Sequence, residues 1–161
     1  MHPTAAVITV SDRSAAGERP DESGPVAAAA LREAGFPCEP AAIVPDGADS
    51  VEAALRAAID TGARLIVTTG GTGVGPRDLT PEGTVRVVTR ALPGIAEELR
   101  RQSTAEKPAG MLSRGIAGVV DGAGALVVNL PGSPRAVAAG MPVILSIAGH
   151  VLDQVRGSDH S

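Results

Sequence analysis

Residues 64–82 read RLIVTTGGTGVGPRDLTPE, and this stretch decides the fold. The apolar run Leu65-Ile66-Val67 is too short for a helix and reads as a buried strand. It leads straight into Gly70, Gly71, Gly73 and Gly75. Arg77 and Asp78 follow, then Thr80-Pro81-Glu82. Proline is tolerated at the first helical position, where its missing N–H has no intrahelical partner, so this last triplet predicts a helix start. Strand, glycine turn and helix make one unit of an α/β sheet. Glycines without a Cβ also let a phosphate approach the backbone N–H groups closely. The loop is neither a Walker A motif, since no Gly-Lys-Ser/Thr follows, nor a dinucleotide fingerprint, since Gly71, Gly73 and Gly75 have the wrong spacing.

The same alternation extends in both directions. Upstream, Ala5 to Val10 reads as a strand, followed by a polar loop from Ser11 to Ser23. Ser23 is placed as the cap of a helix ending at Ala34-Gly35. Glu39 to Val44 reads as a second strand closing on Pro45-Asp46-Gly47. Asp49 or Ser50 is expected to cap a helix carrying Val51, Leu55 and Ile59 on one face. Downstream, Thr80 is expected to cap a helix with Val85, Val88 and Leu92 on its apolar face. Ile95 to Arg101 reads as a short helix, 102–110 as a mobile loop and Met111 to Ile116 as helix. Val119-Val120 and Ala125 to Asn129 read as strands joined by a glycine-rich turn. Ser133 and Pro134 open a second loop-to-helix turn, and Ile144, Ile147, Val151 and Val155 mark a terminal helix. The order predicts a three-layer α/β/α sandwich with a mostly parallel central sheet. One domain over 1–156 is expected, with 157–161 as a disordered tail.

Composition narrows the function. The chain has 161 residues and a formal net charge of −4, so no broad nucleic-acid footprint is expected. One Phe and no Trp or Tyr leave no stacking platform for single strands. Cys38 is the only cysteine, which fits a reducing compartment. The first residues lack a charged-then-apolar signal pattern, and no apolar run approaches the ~20 residues of a membrane span. A cytoplasmic protein with no membrane partner is expected. His2, His150 and His160 suggest no metal cluster.

In open α/β sheets, ligands bind beyond the carboxyl ends of the strands. Ser11-Asp12, Pro45-Asp46, Gly70 to Asp78 and Asn129 to Ser133 all fall there on this reading. A carboxylate among phosphates repels them unless a cation intervenes, and Mg²⁺ commonly takes one or two carboxylates together with substrate phosphates. Asp78 and Asp46 are the candidate pair. Pro-Asp-Gly is also an ordinary turn sequence. Ser133 as cap and Pro134 after it leave helix N–H groups free to receive an anion.

These residues resemble the molybdenum cofactor biosynthesis proteins: the molybdopterin adenylyltransferases of the MogA and MoaB kind, related to the G domain of gephyrin. The likeness covers nearly the whole chain. It is carried by Thr69 to Gly73 with Arg77-Asp78 and Thr80-Pro81-Glu82, by Thr9 to Arg13, and by Asp21 with Ser23-Gly24-Pro25. Val44-Pro45-Asp46, Met111 to Arg114 and Asn129 to Gly132 complete it. The resemblance implies a homotrimer that adenylylates molybdopterin with ATP and Mg²⁺, releasing pyrophosphate, with a molybdenum insertion protein acting later. It implies Asp46 and Asp78 as catalytic and metal-holding acids. Ser11, Asp12, Gly70, Gly71, Thr72, Gly73, Ser113, Asn129, Pro131, Gly132 and Ser133 would contact substrate or nucleotide. A non-catalytic molybdopterin-binding or assembly protein on the same scaffold is the alternative, and another nucleotide enzyme is a third.

Overall fold

The alternation of side chains along the strands builds two separate cores. In a computed structural model describing residues 2–158, Ala5, Val7, Leu65, Val67, Leu126 and Val128 enter one hydrophobic cluster. Ile8, Val10, Ile66 and Val127 enter another. Successive strand residues point to opposite faces, so these runs are apolar on both sides because both sides are covered.

Among the described residues, six strands form a single sheet: β1 (Ala5–Val10), β2 (Ala42–Val44), β3 (Leu65–Thr69), β4 (Arg90–Ala91), β5 (Ala117–Val120) and β6 (Ala125–Leu130). Their order is β2-β1-β3-β6-β5-β4. The pairs β2–β1, β1–β3 and β3–β6 are parallel. The hairpin strand β5 is antiparallel to β6, and β4 is antiparallel to β5. The helices are α1 (Asp12–Ala15), α2 (Ser23–Glu33), α3 (Ala48–Asp60), α4 (Thr80–Val85), α5 (Pro93–Glu106) and α6 (Pro134–Val155), with a 3₁₀ turn at Pro108–Leu112. Residues from α2 and α6 fill the first cluster, where Ala27, Leu31, Val137, Met141, Ile144, Ala148 and Leu152 are buried. Val51 and Leu55 of α3 fill the second, with Val87. The sheet therefore lies between two helical layers, as the strand and helix order predicts.

Several elements differ from expectation for identifiable reasons. The second strand shortens to β2. The apolar pattern expected to continue α4 through Val88 and Leu92 breaks off at Val85, which is exposed. The β-branched run Val85, Val87, Val88, Thr89 disfavours helix, and Thr89 N and Leu92 N instead donate to Val119 O and Ala117 O across β4–β5. The segment expected to be a mobile loop is ordered: α5 runs on to Glu106, and Gly110 packs against the Ser103 main chain. Pro108 ends that helix by holding Lys107 extended, at φ −156°. The helix expected over Met111 to Ile116 reaches only Leu112 as a 3₁₀ turn, because Ser113 is extended.

Three expected caps also move. Ser23 and Thr80 are the first residues of their helices. Ser23 Oγ shares a 2.9 Å hydrogen bond with Thr69 Oγ1, and Thr80 Oγ1 donates to Gly70 O at 2.9 Å. Gly47 precedes α3 with no side-chain cap, and Ser50 Oγ donates to Pro45 O. Asp21 supplies the acceptor for α2, taking Gly24 N at 3.0 Å. Ser133 caps α6 as expected, accepting from Ala136 N. The helix α6 spans 22 residues at a hydropathy of 1.6, enough by length and composition to cross a membrane; here its inner face is part of the core. Of the expected tail, Gly157 and Ser158 continue as a turn on the end of α6, and residues 159–161 lie outside the described residues.

Candidate active site

Four parallel strands end on one edge of the sheet, and their loops meet there. The floor is made of main chain. Gly70 sits at φ 92°, and a Cβ on it would lie 2.3 Å from Val10 O. Its N–H donates to Leu130 O at 3.0 Å. A Cβ on Gly132 would stand 3.3 Å from Gly70 Cα, and one on Gly71 would strike Thr80 Oγ1 and lie 3.2 Å from Asp46 Oδ1. Glycine is required here because three chain segments cross without room for side chains.

Asp12 and Asp46 clasp each other through their main chains. Asp12 N donates to Asp46 Oδ2 at 2.9 Å, and Asp46 N donates to Asp12 Oδ1 at 3.1 Å. Arg77 closes the group, giving both Asp12 oxygens hydrogen bonds of 2.8 and 2.9 Å and donating to Asp46 O at 3.0 Å. Arg77 thus turns to Asp12 and leaves its neighbour Asp78 free of it. Asp78 Oδ2 accepts from Gly75 N at 2.9 Å. Burial chiefly pushes the Asp46 carboxyl above the ordinary carboxylate range; the negative charges of Asp12 and Asp78 add to this, and Arg77 opposes it. The Arg77 hydrogen bond chiefly holds Asp12 below that range. The charge of Asp78, on a different loop, thus reaches Asp46.

These loops border a cleft of about 910 Å³. Ser11, Asp12, Asp46, Gly70, Gly71, Thr72, Gly73 and Asp78 line it. Ser113, Pro131, Gly132 and Ser133 complete the set expected from sequence. Asn129 is the exception and a correction. It is buried, its amide donates to Thr68 Oγ1 at 2.9 Å and Thr84 Oγ1 at 3.0 Å, and its Oδ1 accepts from Ile116 N at 3.1 Å. All three partners are protein, so Asn129 ties β6 to β3, α4 and the segment before β5 and does not line the cleft.

Sequence reasoning missed the opposite wall. Arg101, Lys107 and Arg135 line it, together with the end of α5 and the 3₁₀ turn, and Arg13 and Arg19 stand on the β1 side. The basic residues Arg100, Arg101 and Lys107 were the available signal, hidden by ending the helix at Arg101 and reading 102–110 as a mobile loop. A smaller cleft of about 420 Å³ adjoins the first, shares Ser11, Gly70, Gly132 and Ser133 with it, and reaches Asp21 and Ser23.

The site can be tested against a metal. Among the described residues, no group of three or more His, Cys, Asp or Glu side chains is placed to hold an ion. A pair of aspartates with no nitrogen or sulfur donors fits Mg²⁺, which completes its shell with water and substrate phosphate. It does not fit a structural zinc site, which needs four protein ligands.

Comparison with known proteins agrees with this architecture. Residues 6–150 match the family described as the probable molybdopterin binding domain. A molybdenum cofactor biosynthesis bifunctional protein of Synechococcus elongatus is 40% identical over 97% of this chain, although the match covers 48% of that protein. The chain thus spans about half the length of this curated relative, and of a second from Chlorobaculum tepidum at 51%. A molybdopterin adenylyltransferase of Pyrococcus furiosus is 41% identical over 93% of this chain and 89% of its own length. The solved molybdopterin biosynthesis Mog protein of Mycobacterium ulcerans superimposes with a TM-score of 0.89 at 41% identity, over 98% of this chain and 99% of that one. By the family match across most of its length and by the shared fold, this chain belongs to the probable molybdopterin binding domain family of molybdenum cofactor biosynthesis proteins.

Proposed function

We propose that this protein adenylylates molybdopterin. A phosphate oxygen of molybdopterin bonds to the α-phosphorus of ATP, the bond from that phosphorus to the β-phosphate oxygen breaks, and pyrophosphate leaves. The observation that carries this reading is that Asp46 and Asp78 line one cleft beside the Gly71 and Gly73 loop, a cleft near the upper end of the roughly 300–1,000 Å³ usual for small-molecule sites. That volume suits two substrates held side by side. Such a transfer needs positioning and charge stabilisation more than a reactive side chain. Gly70 to Gly73 would bring main chain close to phosphate, the positive end of the α6 dipole lies at the cleft beside Ser133, and Lys107 on the opposite wall would help balance the charge of the leaving group. Mg²⁺ held by Asp46 and Asp78 would neutralise phosphate charge and polarise the reacting phosphoryl group. Relatives named molybdopterin adenylyltransferase support the assignment.

The test is an assay with molybdopterin, ATP and Mg²⁺. Wild type is expected to form adenylyl-molybdopterin, and Asp78→Asn to lose turnover by on the order of 100-fold, the scale of removing one transition-state stabilising group, while still binding molybdopterin. Molybdopterin binding without ATP-dependent turnover in wild type would favour the non-catalytic binding protein instead. The product would be handed to a molybdenum insertion step, and the reaction would take place in the cytoplasm.

A further inference from the structure

Asp78 sits at the end of a loop with little support of its own. Val74, Gly75, Pro76 and Arg77 are exposed. The internal bonds tying Asp78 to this loop are Asp78 N to Gly75 O at 3.1 Å and Gly75 N to Asp78 Oδ2. What grips the loop comes from another part of the chain. Arg114, between the 3₁₀ turn and β5, donates its main-chain N–H to Thr72 O at 2.7 Å. Its guanidinium reaches Gly73 O through Nε at 2.8 Å, Asp78 O through Nη2, and Glu82 Oε1 through Nη1. Both ends of the exposed excursion, Gly73 and Asp78, are therefore held by one side chain. The planar five-donor fork of arginine can do this, whereas a lysine ammonium is a single point donor. Glu82, on the first turn of α4, anchors the guanidinium, and the Arg114 hydrogen bond holds its carboxyl below the ordinary range.

Arg114 binds the carbonyl of Asp78, not its carboxylate. The contact fixes where the carboxylate stands without consuming its oxygens. Arg77 treats Asp46 in the same way, through Asp46 O, but spends its other donors on Asp12. Arg77 anchors the loop on Asp12 and Asp46 just before Asp78, and Arg114 is the side chain that takes hold of Asp78 itself, through its main chain.

We propose that Arg114, oriented by Glu82, is a positioning residue that sets the Asp78 carboxylate for a divalent cation carrying nucleotide phosphate. This rests on the cation role of Asp78 given above. The test uses Mn²⁺ as the probe, with its affinity in the presence of ATP followed by electron paramagnetic resonance. Arg114→Lys is expected to weaken Mn²⁺ binding by about 10-fold or more, the usual effect of losing a group that orients a metal ligand. ATP affinity measured in EDTA stays at the wild-type value, which a collapsed cleft would not allow. Glu82→Ala, which frees the guanidinium without touching the loop, is expected to shift Mn²⁺ affinity in the same direction and serves if the lysine variant does not fold. Wild-type Mn²⁺ affinity in the folded variant overturns the inference, and so does equal loss of Mn²⁺ and metal-free ATP binding. Mn²⁺–ATP binding by wild type, weakened in the variant, with no adenylyl product formed, supports this inference and overturns the reaction proposed above.

Discussion

At Asp46, stability and the proposed chemistry pull in opposite directions. Its carboxyl is raised above the ordinary value of 3.8, mainly by burial, so the folded chain holds that proton more tightly than the unfolded one. The neutral form stabilises the fold fully below the unfolded value, and that contribution is lost as pH rises through the higher folded value. Asp12 and Glu82 behave conversely: Arg77 and Arg114 depress them, and their contribution disappears as pH falls through their folded values. At neutral pH the charged Asp46 therefore works against folding. Asp46→Asn is expected to raise the thermal midpoint at pH 7 while abolishing divalent-cation affinity, with the stability gain shrinking toward pH 4 as wild type takes up its proton. A lower midpoint at pH 7 would refute this. The place of Asp46 and Asp78 at the cleft was legible in the sequence because each lies in a loop beyond the end of a parallel strand. Asn129 was misplaced because a polar residue at a strand end looks the same whether it faces ligand or core. The alternation decides it: Val128 and Leu130 face the α2–α6 layer, so Asn129 must face the α3–α4 side, where Thr84 waits.

Among the elements, α4 shows how a short helix is fixed by what it touches. Six residues contain Pro81 and Gly83, a poor helix by propensity. Gly83 is nonetheless required: a Cβ there would lie 2.6 Å from Ala48 O and 2.8 Å from Val51 Cβ. This close approach seats α4 on α3 and brings Glu82 under Arg114. Gly83→Ala should gain up to about 1 kcal/mol in helix propensity but lose about 1–3 kcal/mol to overpacking. The expected net result is a lower urea midpoint; a higher one would show that α3 can move aside. Strands β1, β3 and β6 and helices α2 and α3 were legible because their apolar runs are long or periodic. The two-residue β4 and the extension of α5 were not. The first is held by pairing with β5 and by the Arg90–Asp121 ion pair, and the second is a polar stretch whose order comes from packing against the 3₁₀ turn, which no local pattern records.

For the whole molecule, assembly follows from resemblance more than from surface chemistry. The expected homotrimer would rely on aliphatic and arginine side chains, since the chain has no Trp or Tyr to act as aromatic hot spots. Ile43, Val85 and Met111 are exposed large apolar residues of the kind such an interface could cover. Light scattering is expected to give three times the chain mass at micromolar concentration, and a single-chain mass there would refute the trimer. The glycine floor has a different consequence at this scale. Val10, Gly70 and Gly132 meet through main chain, so substitutions elsewhere cannot easily reshape that surface; a side chain on Gly70 collides with Val10 O and one on Gly132 crowds Gly70. Mutational tolerance should therefore be split across the cleft. The floor should reject nearly every change, and the wall of α5 and the 3₁₀ turn should accept many. Under the proposed reaction, any retuning of substrate preference would fall to that wall and to Arg13 and Arg19 on the β1 side.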